Sequence, residues 1–178
     1  MLYVFGFKEV AVAVSDLYFV DPEPVPGQEG AEHGVRLEVR LLESSPPLGS
    51  IYASRPITLG RPVWRADFLE SVDGETGSFD RTHHHPRMRG WEPGSREFDP
   101  TMAADPIAWL GRRLGDLDAL MKQAELPEAD RDDVDAMRRA VPEVKATVER
   151  LLHEVRTGAK SEPPEGQDGP RSARLSWL

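Results

Sequence analysis

The chain contains no cysteine. Disulfides and thiolate metal sites are therefore excluded, and any bound metal must be held by His, Asp or Glu. No uncharged run approaches the roughly 20 residues that a membrane-spanning helix requires. The first twenty residues are apolar but carry Lys8, Glu9 and Asp16, and they lack the basic start and uninterrupted apolar run of a secretory leader. These absences predict a cytoplasmic protein with no membrane contact. There is no internal repeat, and no helix-turn-helix or other motif that reads duplex DNA. Positive charge is also scarce: the net charge of -9 over 178 residues repels nucleic acid at long range.

Proline and glycine, by contrast, are plentiful, at 16 and 15 residues, and imply many turns. Hydrophobic residues make up 39% of the chain, enough for the core of one ordinary domain.

Met1 to Val20 reads as extended, with Val10, Val12 and Val14 alternating with Ala11 and Ala13 and a break near Gly6. Asp21 to Gly34, with Pro22, Pro24 and Pro26, reads as a loop. Val35 to Glu43 is the clearest strand: Val35, Leu37, Val39 and Leu41 share one face and Arg36, Glu38 and Arg40 the other, the pattern of a half-buried antiparallel strand. A strand over Ile51 to Ile57, at an edge because of Pro56, is also predicted. Over Pro62 to Ser71, Trp64, Ala66 and Phe68 share one face, while Val63, Arg65, Asp67 and Leu69 share the other. Phe79 to His85 is predicted to return as its hairpin partner, and Arg87 to Asp99 as irregular chain.

Asp105-Pro106 opens a helix, with Asp as the cap and Pro in the first turn. Ile107, Leu110, Leu114, Leu117 and Met121 give it an apolar stripe. A second stripe runs from Val134 through Met137, Val141, Val144, Val148 and Leu151 to Val155. Pro142 falls inside it and predicts a kink or two abutting helices. Residues 159–178 read as a disordered tail. Its end, Leu175, Trp177 and Leu178, reads either as a frayed terminus or as a docking peptide whose Trp177 fills a partner's pocket. The fold class predicted is α+β. An antiparallel meander with a basic, histidine-rich segment covers residues 1–100, and a helical hairpin over 101–158 packs on it.

The segment from Asp80 to Trp91 carries three of the five histidines. Between Arg81 and Trp91 it holds three arginines and no carboxylate. His83 and His85, two apart on a strand, project from one face. Three readings follow. In the first, His83 and His85 act as acid and base with Asp67 beside them. Arg81, Arg87, Arg89 and Arg65 then hold a phosphate and Trp91 stacks a base, a combination suited to RNA cleavage or binding. In the second, His83, His85 and Asp67 ligate a metal for hydrolysis; residue types name no particular cofactor. In the third, the segment is a solvated hairpin end whose cations pair with neighbouring acids. A non-enzymatic module docking through its helices and tail is the further alternative.

Pro24-Val25-Pro26-Gly27, then His33-Gly34 leading into Arg36-Leu37-Glu38-Val39-Arg40-Leu41, is similar to the opening of the TumE-type toxin components of prokaryotic toxin–antitoxin pairs. Arg65-Ala66-Asp67 and Asp80-Arg81-Thr82-His83-His84-His85 resemble that family's second strand and its histidine segment. The likeness covers residues 24–86. This chain departs from it in extra residues around Glu29 to Ala31, in Val35 where an aromatic is usual, and in the long helical C-terminus. The resemblance implies an α+β protein acting on a cytosolic target such as RNA, with a cognate antitoxin as partner.

Overall fold

The computed structural model describes residues 1–21 and 23–158. The tail residues Leu175, Trp177 and Leu178 lie outside the described residues. Five strands form one antiparallel meander in chain order: β1 (Leu2–Gly6), β2 (Val10–Val20), β3 (Ala31–Ser44), β4 (Ile57–Ser71) and β5 (His83–His85). A small ribbon of β6 (Met88–Arg89) and β7 (Glu92–Pro93) follows, then four helices: α1 (Pro100–Ala104), α2 (Pro106–Gly115), α3 (Leu117–Gln123) and α4 (Arg131–Arg156). The predicted class, an antiparallel sheet followed by C-terminal helices, is the class observed.

The period-two pattern explains the layering. Val10, Val12 and Val14, then Val35, Leu37 and Val39, then Trp64, Ala66 and Phe68 all face the helices. They share one core with Leu110, Leu114, Met137, Val144, Val148 and Leu151. The opposite face of β2 to β5 is largely polar, and no helix among the described residues covers it.

Several boundaries differ from expectation. β3 starts at Ala31, inside the predicted loop, and runs through Gly34 opposite Leu69. A Cβ at Gly34 (φ 150°) would lie 2.0 Å from the Phe68 carbonyl oxygen, so only glycine lets the ladder close there. The strand over Ile51 to Ile57 is not formed; β4 begins at Ile57, and residues 45–56 are a turn that leaves Leu48, Ile51 and Tyr52 bare. The hairpin partner predicted from Phe79 shortens to His83–His85. Phe79 takes a positive φ of 49°, and the Thr82 hydroxyl both accepts from the Leu69 N–H and donates to the Leu69 carbonyl, replacing the ladder at that point.

Each of α1, α2 and α3 starts on an aspartate that accepts a backbone N–H: Asp99, Asp105 and Asp116. The last cap also divides the first predicted helix into α2 and α3. α4 runs unbroken through Pro142, so the expected division there is absent. Pro142 lies on the exposed side, where a missing N–H is tolerated because water reaches the freed carbonyl. Read from sequence, Asp130, Asp132, Asp133 and Asp135 at the start of α4 suit a solvated helix start; Asp133 departs from that. Asp133 is buried and accepts the backbone N–H groups of Lys8 and Glu9 at 2.6 and 2.9 Å, which fastens the β1–β2 turn to the helix. No helix among the described residues is long and apolar enough to cross a membrane.

Candidate functional site

Antiparallel register sets the polar face out in rows. Ser15 of β2, Arg36 of β3, Asp67 of β4 and His83 of β5 are successive partners in one row; Ala13, Glu38, Arg65 and His85 form the next. Ala13 and Ser15 are small, so the β2 side of the trough is shallow while long side chains converge from β3, β4 and β5.

Asp67 is the centre. It is buried, and its Oδ1 accepts from Arg36 Nε at 2.7 Å. Arg65 Nε lies 3.0 Å from Oδ2, in ion-pair contact but off the hydrogen-bond line. His83 Nε2 and His85 Nε2 stand 3.4 and 3.7 Å from the same oxygen. Burial alone would raise the Asp67 carboxyl, but Arg36 and Arg65, helped by His83, outweigh it and hold the group well below the usual carboxylate range.

Both imidazoles are fixed through their other nitrogen. His83 Nδ1 lies 2.8 Å from the Arg81 carbonyl and His85 Nδ1 lies 3.1 Å from the Gly94 carbonyl. A carbonyl only accepts, so each Nδ1 carries a proton and donates it. The Gly94 contact requires glycine: a Cβ there would meet the Arg87 carbonyl oxygen at 2.6 Å. His85 Nε2 in turn accepts from Arg65 Nη2 at 3.0 Å. Burial, then the Arg65 charge, lowers the His85 pKa to about 4, so His85 is neutral at physiological pH. The rings pack edge-on, with centroids 5.0 Å apart. His84 points to the other face, 5.2 Å from the ring of Trp109.

The cluster opens on a hollow of about 260 Å³ lined by Arg36, Arg65, Arg96, Glu32, Asp67 and His83. Burial pushes the Glu32 carboxyl up, against the opposing charges of Arg81 and Arg96. Arg36 and Arg65 also border a second hollow of about 410 Å³, with Arg40 and Trp91 in its wall.

Of the residues expected from sequence, His83, His85, Asp67 and Arg65 come together, and Trp91 borders the adjoining hollow. Arg81, Arg87 and Arg89 line neither hollow. The Arg81 side chain donates to the Gly27 carbonyl, and only its own backbone carbonyl serves the site. Arg87 is 61% exposed and pairs with Glu125. Arg89 sits exposed on β6. For Arg87 and Arg89 the physical reason is the turn at Pro86, after which the chain folds back as a ribbon instead of continuing β5; Arg81 lies before β5, where the ladder is already broken. The cations in the hollow are Arg36, Arg65 and Arg96. Arg36 was legible as a polar-face residue of its strand, but its pairing with Asp67 depends on register. Arg96 carried no signal.

Asp67, His83 and His85 also offer three ligand atoms within 4.8 Å of one another. Their backbone-anchored Nδ1 atoms suit ligation through Nε2. The guanidinium of Arg65, however, already bridges Asp67 and His85, the pair that would have to admit the ion. It supplies the positive charge a metal would bring. Among the described residues the apolar stripes of α2 and α4 are buried in the shared core, so neither offers a bare docking face.

Compared with known protein families, with functionally described proteins and with solved structures, the chain matches none.

Proposed function

We propose that the polar face of the sheet binds a phosphate-bearing ligand, with Arg36, Arg65 and Arg96 as the clamp and His83 as the group that exchanges protons with it. One observation carries this: two guanidiniums share one buried carboxylate, that of Asp67. Arg36 uses Nε and Nη2 on that carboxylate, and Arg65 gives Nη2 to His85. Each guanidinium has five N–H donors, so Nη1 of both is left for an anion. A planar fork of this kind favours phosphate and carboxylate oxygens.

Proton transfer falls to His83, because His85 has its Nε2 occupied by Arg65 and holds that guanidinium in place. On an RNA ligand, His83 takes the proton of a 2′-hydroxyl, whose oxygen attacks phosphorus. The P–O5′ bond breaks, and the 5′ oxygen takes a proton from solvent. The products are a 2′,3′-cyclic phosphate and a 5′-hydroxyl end. The arginines offset the charge that gathers on the phosphoryl oxygens. A toxin-like role, a cognate antitoxin and a cytoplasmic location, all implied by the resemblance or by composition, belong to the same proposal.

Calorimetric titration with inorganic phosphate tests the clamp: binding is expected, and Arg36→Gln is expected to weaken it at least tenfold. RNA cleavage is expected to vanish in His83→Gln while the urea midpoint stays near that of the parent. Cleavage that survives this change places the chemistry elsewhere. A metal-dependent hydrolase is the second reading, favoured only by the three converging ligand atoms. Stoichiometric zinc, manganese or iron in the purified protein would establish it instead.

A further inference from the structure

The clamp hollow and the larger hollow beside it adjoin, with Arg36 and Arg65 in the walls of both, and the two together are called the trough. The larger one ends at Trp91. That residue sits at the tip of the β6–β7 ribbon, where Gly90, with φ 64°, takes the first central position of the turn. The Arg40 guanidinium lies 5.1 Å from the centroid of the indole ring. Arg40 is itself fixed, donating from Nε to the Gly60 carbonyl at 2.8 Å and from Nη1 to Glu38 at 2.6 Å. The indole therefore has one face on an anchored cation, and it is still 64% exposed. An aromatic ring held this way in the wall of a cationic trough is a stacking surface for a second flat ring. Nothing in the core requires it, since Trp91 is not among the residues packed there.

Resting on the phosphate-clamp proposal, we infer that the trough takes a nucleoside monophosphate unit, its phosphate between Arg36 and Arg65 and its base against Trp91. Two sources carry that unit: a free nucleotide and single-stranded RNA. On the β2 side the wall of the larger hollow is built from the small residues Ala13 and Ser15, with Leu2 of β1 beside them. The base is held by stacking and not by a closed pocket, so discrimination among the four bases is weak.

The test compares inorganic phosphate, ribose 5-phosphate, AMP, UMP and a single-stranded hexaribonucleotide, each titrated into the full chain and into Trp91→Ala. AMP and UMP are expected to bind about tenfold tighter than ribose 5-phosphate, and Trp91→Ala to erase that gap. Phosphate affinity is expected to stay within about twofold in the variant, and Trp91→Phe to restore most of the gap. If the hexamer binds tighter than AMP, RNA is the source; if it does not, the free nucleotide is. Equal affinity for AMP and ribose 5-phosphate overturns the inference and leaves the clamp standing. Failure of every anion to bind overturns both.

Discussion

Arg65 and His85 face each other across the β4–β5 ladder, and the guanidinium donates to the imidazole Nε2 at 3.0 Å. A cation and a histidine in contact fix each other's state. The histidine stays neutral so that it can accept, and the arginine contacts two of the three residues whose atoms could ligate a metal ion.

Removing that arginine should therefore uncover a metal site. Arg65→Ala leaves His83, His85 and Asp67 with their ligand atoms within 4.8 Å of one another, while their backbone anchors stay intact. The variant is expected to bind zinc or cobalt at least tenfold more tightly than the parent, measured by calorimetry or by the visible spectrum of bound cobalt. Equal metal affinity in the two proteins would show that Arg65 does not hold the cation's place.

Stability should depend on pH through the same contact. His85 titrates at about 4 in the folded chain, against an ordinary value of 6.5. Between these values the unfolded chain binds a proton that the folded chain does not. The contribution is thus fully present above about pH 6.5 and is lost as pH falls towards 4. Asp67, held well below its ordinary value of 3.8, adds a contribution present above about pH 4 that is lost only as pH falls further, through its folded value. The urea midpoint is expected to decline from pH 7 to pH 4.5, and less steeply in His85→Gln. A flat profile in the parent would contradict the assignment.

Asp67→Asn should be costly. It removes the one carboxylate shared by Arg36 and Arg65, whose side chains are 20% and 12% exposed. Breaking a buried pair from one side typically costs about 3–5 kcal/mol, because the remaining charge is left uncompensated. Urea denaturation at pH 7 measures it. Added phosphate is expected to rescue part of the loss by supplying a replacement anion, which a purely structural ion pair would not allow.

Pro142→Ala should stabilise the protein. A proline in a helix interior costs about 3 kcal/mol relative to alanine, and Pro142 makes that sacrifice on the exposed side of α4, where its ring contributes little packing. A gain of about 1–3 kcal/mol in unfolding free energy is expected, with phosphate binding unchanged. A loss of stability would mean that Pro142 contributes more in place than its missing N–H costs.

Much of the fold could be read from alternation. Val35 to Leu41 and Trp64 to Phe68 declared which side faces the core, and the two-residue spacing of His83 and His85 placed both rings on the other side. The spacing of Val134 to Val155 likewise declared α4, although Pro142 suggested a break that solvent exposure makes unnecessary. What could not be read was pairing between distant segments. Arg36 and Asp67 are 31 residues apart, and only the register of β3 on β4, bulged near Arg40, makes them partners. Of the clamp arginines expected from sequence, Arg65 lines the hollow, while Arg81, Arg87 and Arg89, nearest the histidines along the chain, do not. Arg87 and Arg89 are close in sequence but lie beyond the Pro86 turn, whereas Arg36 is remote in sequence and adjacent in space. The role of Asp133 could not be read for a similar reason: its partners are backbone N–H groups more than 120 residues away, and no side-chain pattern announces them.

The three consecutive histidines of β5 look redundant in the sequence, yet the strand gives them unlike surroundings. His84 lies among the indoles of Trp64 and Trp109, while its neighbours turn towards Asp67. Sliding β5 by a single position would push two rings into the indole layer and leave only one for the carboxylate. The smallest strand of the sheet thereby acts as a key: its seat accepts one alignment, and the charged cluster is complete only when the whole meander before it has been laid down correctly.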